Sequence, residues 1–90
     1  MSFEWDENKN LKNQEMHGLS FEAAQEAFAG NIVVKVDNRF DYGEVRKVLL
    51  GEVRGRVVFI VFTEREGNIR IISARKANRK EVRAYYEEID

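Results

Sequence analysis

Apolar residues recur along this chain with two periods, and the change from one to the other falls near residue 32. Phe3-Glu4-Trp5 alternates like a short edge strand. Asp6 stands where a helix N-cap is needed, Glu7 supplies an acid to the first turn, and the spacing predicts a helix to about His17. Gly18 ends it, because a glycine just past the last helical residue takes the left-handed conformation that a side chain resists. Ser20 caps a second predicted helix from Phe21 to about Ala29, with Ala23, Ala24, Ala27 and Phe28 as its apolar stripe and Gly30 as its stop.

From Ile32 the period becomes that of strands: Ile32–Asp37, Val45–Val53, Val57–Thr63 and Ile69–Ala74, all rich in Val, Ile and Phe. Arg54-Gly55-Arg56 and Glu66-Gly67-Asn68 are tight links, so the last three strands are expected to form an antiparallel meander. Val57 to Phe62 is apolar on both parities, which marks a central strand covered on both faces. Residues 38–43 read as the one longer loop. Asn78 or Ser73 can cap a final helix through Tyr86, with Val82, Tyr85, Tyr86 and Ile89 at helical spacing and Arg79, Lys80 and Arg83 on the opposite side. The expected fold is α+β: a small twisted antiparallel sheet with two N-terminal helices and one C-terminal helix, in the order β-α-α-β-β-β-β-α.

Ninety residues make a single domain, 1–90, with one modest core. The absence of Cys excludes disulfides, thiolate metal sites and a Cys nucleophile. One His and carboxylates without metal-loop spacing give no metal constellation. The N-terminus lacks a basic and apolar leader, and Val57–Phe62, the longest apolar run, is too short to span a bilayer, so a cytoplasmic protein without a membrane partner or cofactor is expected. The net charge of −1 conceals a segregation: residues 1–44 carry nine acids and four Lys/Arg, whereas residues 45–90 carry seven acids and eleven Lys/Arg. A basic carboxy-terminal half, in which the strand Ile69–Ala74 runs into Arg75, Lys76 and Arg79, offers guanidinium groups to a polyanion, and that points to RNA.

Several separate blocks then agree with one family in order and spacing. Trp5-Asp6, Lys9, Asn13, His17-Gly18, Ser20-Phe21-Glu22 and Ala24 are followed by Glu44 with Arg46, Thr63-Glu64-Arg65, and Ile71-Ile72-Ser73-Ala74-Arg75-Lys76-Ala77. Together they resemble, nearly end to end, the BrnT toxins of bacterial type II toxin–antitoxin modules. The resemblance implies a fold similar to RelE-type ribonuclease toxins and RNA cleavage that blocks translation. It also implies neutralisation by a BrnA-like ribbon-helix-helix antitoxin, in a two-plus-two complex that reaches operator DNA only through the antitoxin. In one departure, Met16 stands where BrnT sequences usually carry a Lys before the His-Gly pair, and this leaves an attenuated or inactive RNA- or antitoxin-binding module as the alternative.

A metal-independent ribonuclease must take a proton from a ribose 2′-OH, stabilise a phosphorane and protonate the departing 5′-oxygen. His17 is the one histidine and the one side chain suited by its ordinary pKa to both proton transfers, although a helix-terminal role accounts for it equally well. Glu44 and Glu64 are competing bases; Glu44 and Arg46 share a strand face and form either a base-and-clamp pair or a surface ion pair. A Lys base is a further alternative. Arg65, Arg75 and Arg79 are the expected phosphate ligands, since a guanidinium forks onto phosphate oxygens and keeps its charge. Arg70 shares parity with Ile72 and Ala74 and is expected on the helix-packed face. Lys9, Lys12, Lys76, Lys80 and Arg83 are candidate RNA contacts beside a solvated-face reading. Tyr86 or Tyr85 is a candidate stacking surface, with one of the two expected to anchor the helix, and Trp5 is expected in the core.

Overall fold

The computed structural model describes residues 2–39 and 43–89. The elements are β1 (Phe3–Glu4), α1 (Glu7–His17), α2 (Phe21–Ala24) continuing as a 3₁₀ turn over Gln25–Ala29, β2 (Val33–Val36), β3 (Lys47–Val53), β4 (Arg56–Arg65), β5 (Asn68–Lys76) and α3 (Arg79–Ile89). Part of the longer loop expected over 38–43 lies outside the described residues. Asp6 caps α1 by accepting from the amides of Asn8 and Lys9, and Gly18 closes it at φ 68°. The second helix tightens to 3₁₀ after Ala24 instead of staying α-helical to Ala29. There Ala27 is buried against Gly51, and a Cβ on Gly51 would meet both the Cβ and the carbonyl of Ala27 at 3.2 Å. The narrower turn lets that backbone rest directly on β3.

The strands form one sheet in the order β1-β5-β4-β3-β2. β2 to β5 are an antiparallel meander, and the β3–β4 link places Arg54 and Gly55 at φ 52° and 83°, the positive values that a two-residue hairpin turn needs. β1 pairs with β5 in parallel, so the sheet is mixed, correcting the wholly antiparallel expectation. The first and last strands are neighbours, and a parallel pair tolerates any amount of chain between its members as long as it crosses over. β4 is central, with Val57, Val58, Ile60, Val61, Phe62 and Thr63 buried.

One sheet face carries the main core, where Phe21, Ala24, Leu49, Ile60 and Ile71 pack with half-buried Trp5 and Phe28. Phe28 meets Phe3 and Phe62 edge-on at 5.0 and 5.3 Å between ring centroids. α3 lies on the other face, its buried Tyr85 donating its hydroxyl to the carbonyl of Asn31 at 2.8 Å. Tyr85 is therefore the anchoring tyrosine.

Two details position the site. Val61 stands opposite Ser73 but Phe62 opposite Ile71, so Ile72 is an extra residue in β5. Ile69, Ile71 and Ala74 consequently all reach the main core, and Arg70, opposite Thr63 on β4 and Glu4 on β1, lies on the other face. The expectation that Arg70 shares a face with Ala74 is thus overturned by the bulge. Second, α1 lies along the edge of β5 beyond β1. The Asn13 amide donates to the Ala74 carbonyl at 2.7 Å and accepts from the Ala74 amide at 3.2 Å, pairing both backbone groups as a further strand would. Asn10 does similar service, accepting from the Phe21 amide at 2.8 Å.

Asn13→Ala leaves the two buried backbone groups of Ala74 without partners, and each such loss costs on the order of 1–3 kcal/mol. Chemical unfolding is expected to show a destabilisation of about 3 kcal/mol with an unchanged denaturant slope. A variant as stable as the native protein would show that this amide does not hold α1 to the sheet.

Candidate nucleic-acid interface

α3 covers only the end of its face that lies near the β3–β4 hairpin, and the remainder is lined with arginine. Across the β4–β5 ladder Phe59 stands opposite Arg75, Val61 opposite Ser73, Thr63 opposite Arg70 and Arg65 opposite Asn68. Just before β3, Thr63 donates its hydroxyl to the carbonyl of Val45 at 2.7 Å, which brings Glu44 and Arg46 alongside. Arg46, Arg65, Arg70 and Arg75 thus share one sheet face, drawn from two strands and the segment preceding a third; Arg46 and Arg65 meet at Glu44, whereas Arg75 lies at the α3 end, opposite Phe59.

Each guanidinium is held by an internal carboxylate. Glu44 accepts from Arg65 Nη2 at 3.2 Å and lies 3.5 Å from Arg46 Nε. Arg70 pairs with Glu4 at 2.9 Å. Arg75 makes a two-pronged pair with Glu81, at 2.8 and 3.0 Å, while its guanidinium carbon sits 4.1 Å over the ring of Phe59. Glu81 also completes a capping box at the start of α3: its carboxylate accepts from the Asn78 amide at 2.9 Å and its own amide donates to the Asn78 side chain at 2.8 Å. The arginines therefore share a face but are not bare. Their pairs are half-exposed, side-chain exposures running from 21% to 53%, and pairs of this kind contribute only about 0–1 kcal/mol each. A phosphodiester, which accepts the same forked hydrogen bonds, can exchange with such a carboxylate at small cost.

The carboxylates respond to this arrangement. The hydrogen bond from Arg65, reinforced by its charge and by Arg46, holds Glu44 below the ordinary 4.5. Arg75 does the same to Glu81, helped by the Asn78 amide and the charge of Arg39. Both are carboxylates at neutral pH.

The remaining candidates lie elsewhere. His17 is exposed at the last turn of α1, whose end, with Gly18, faces the β3–β4 hairpin and Lys76, opposite in the sheet to Glu44 and Arg65. Arg79 is exposed at the start of α3, and Arg75 turns to Glu81 rather than toward a shared phosphate with it. Lys9 and Lys12 are exposed on α1, Lys80 and Arg83 on α3, and Lys76 at the end of β5. Glu64 pairs with Lys47 at 2.9 Å on the helix-packed side of β4. Tyr86 donates its hydroxyl to Glu52 at 3.0 Å, which raises its pKa, and its ring meets Tyr85 edge-on at 5.2 Å. Met16 is exposed on α1. Reasoning from sequence placed Arg70 on the other face and passed over Glu81; the capping offset from Asn78 to Glu81 was a legible signal for the latter, but the bulge that turns Arg70 outward has none. Among the described residues no group of three or more His, Cys, Asp or Glu is placed to hold a metal ion, and no helix is long and apolar enough to cross a membrane.

The class defined so far is a small α+β fold whose mixed sheet carries arginines on one face beside a partial helical cover. The model of the family described as ribonuclease toxin, BrnT, of type II toxin-antitoxin system matches residues 5–81, and the chain belongs to that family. Membership implies an antitoxin protein as partner. No match was found among curated proteins.

Because its folded-state pKa is depressed, Glu81 contributes stability that is complete above pH 4.5 and lost as the pH falls through its lower folded value. Glu81→Gln is expected to be less stable than the native protein at pH 7, and its unfolding midpoint should fall less steeply below pH 4.5. Equal slopes for the two proteins would refute this reading of the Arg75–Glu81 pair.

Proposed function

We propose that this chain is a metal-independent endoribonuclease that arrests translation by cutting RNA through attack of a ribose 2′-OH on the adjacent phosphorus. The observation that carries the reading is the placement of Arg46, Arg65, Arg70 and Arg75 on one sheet face, with Arg46 and Arg65 brought together at Glu44. In this reading the scissile phosphate takes over guanidinium donors from Glu44, Arg65 and Arg46 stabilise the charge that builds on the phosphorane, and Arg70 and Arg75 receive neighbouring phosphates of the strand. The 2′-oxygen forms a bond to phosphorus, the bond to the 5′-oxygen breaks, the departing oxygen takes a proton from water, and a 2′,3′-cyclic phosphate and a free 5′-hydroxyl result. Glu44, which lies among the arginines, accepts the 2′ proton. Its low pKa makes it a weak base, so most of the rate falls to charge stabilisation. His17, at the other end of the sheet, has no part in the proton transfer. The fold is read as RelE-like. The partner is read as a BrnA-like ribbon-helix-helix antitoxin that covers the arginine face in a two-plus-two complex and contacts operator DNA itself.

Purified protein is expected to cleave RNA in the presence of EDTA, and its expression to arrest growth. Arg65→Ala and Glu44→Gln should each lower the cleavage rate by about 10²-fold or more with the fold intact by circular dichroism, while His17→Gln keeps activity within a few fold. No cleavage and no arrest would remove the proposal.

One observation favours a second reading, that of an attenuated member: every arginine on the face already has a carboxylate partner, and Met16 places a neutral, exposed side chain where the family usually has a Lys. Under that reading Met16→Lys switches on growth arrest in a chain that is otherwise inert, and an inert Met16→Lys chain would argue against it.

A further inference from the structure

Among the described residues, two cations without an ion-pair partner lie together away from the arginine face. A groove of about 560 Å³ runs between the α1–α2 turn and the β3–β4 hairpin, on the helix-packed side of the sheet. Its rim carries Arg54, Arg56 and Lys76, and no carboxylate lines it; between them Leu19 and Ala23 are partly exposed beside the polar Gln14 and Ser20. Arg54 is held by Glu26 at 2.9 Å, but Arg56 and Lys76 have no ion-pair partner among the described residues. By contrast, the depression at the other end of the sheet is lined by Glu44 and Glu64 as well as Lys47 and Arg65, so its charges cancel.

We propose that this groove is a second binding site, for a nucleotide of single-stranded RNA whose main scissile region lies on the arginine face. Partly exposed apolar groups under a cationic rim match the two halves of a nucleotide: a base loses water against Leu19 and Ala23 while Arg56 and Lys76 receive its phosphates. Continuity with the arginine face comes from β5. Lys76 stands opposite Val58 on the helix-packed side, and the preceding Arg75 stands opposite Phe59 on the other, so consecutive residues present cations to both sides of the strand's end. One RNA strand passing round that end meets both.

This inference rests on the nuclease reading for its ligand class but is tested separately from it. A short fluorescent 2′-O-methyl oligoribonucleotide has no 2′-OH to attack, so its binding can be followed by anisotropy over a range of salt without any cleavage. Arg56→Gln and Lys76→Gln should each weaken binding and each reduce the slope of log affinity against log salt by about 0.7, the value for one phosphate contact on a single strand. Lys35→Gln, on exposed β2, should leave the slope unchanged. If unmodified RNA is not cut yet the two groove variants lose slope as stated, the nuclease reading falls and the groove stands. Native binding and slope in both variants, an equal loss in Lys35→Gln, or no binding by the native protein would each overturn the groove. So would weakened antitoxin binding in the two variants with RNA binding unchanged.

Discussion

The register shift between β4 and β5 is the constraint on which the functional face depends. A single extra residue, Ile72, reverses the alternation of β5 halfway along, so that Ile69 and Ile71 on one side of it and Ala74 on the other all enter the same core. Without it, burying Ile69 and Ile71 would turn Arg75 into the apolar layer, or exposing Arg75 would drag both isoleucines into water. With it, Arg70 and Arg75 stand on one surface while the core keeps its three residues. Apolar burial worth about 2 kcal/mol per isoleucine and the collection of guanidiniums are thereby made compatible.

The second organising element is the set of carboxylates placed beside those guanidiniums. Glu44 serves Arg65 and Arg46, Glu4 serves Arg70, and Glu81 serves Arg75. Surface pairs of this strength add little to stability, so their main effect is geometric: they fix long side chains in fork orientations and suppress mutual repulsion among the cations. The face is pre-arranged in this way, whereas the groove at the hairpin end has cations on its rim and no carboxylate in its lining.

Much of this was legible in the chain. The caps Asp6, Ser20 and Asn78, the stop at Gly18, the hairpin at Arg54-Gly55 and the doubly covered strand β4 follow from local chemistry, and each is present. Pairing partners far apart in sequence were not legible, because nothing in Phe3-Glu4 says which strand it joins or in which direction. The same holds for the site. Grouping Glu44 with Arg46 needed only the two-residue period of a strand, whereas bringing in Arg70 required the bulge, and separating His17 from Glu44 required knowing that α1 runs along β5 toward the hairpin end.

Glu81 has two duties that share one carboxylate: it caps the first turn of α3 and it holds Arg75. Anything that draws the arginine away hands the oxygen Oε1 wholly to the Asn78 amide and alters the electrostatics at the helix's positive end. Occupancy of the sheet surface and the integrity of a helix terminus are therefore thermodynamically linked, and by reciprocity a change in how α3 begins must alter how tightly that surface holds an anion.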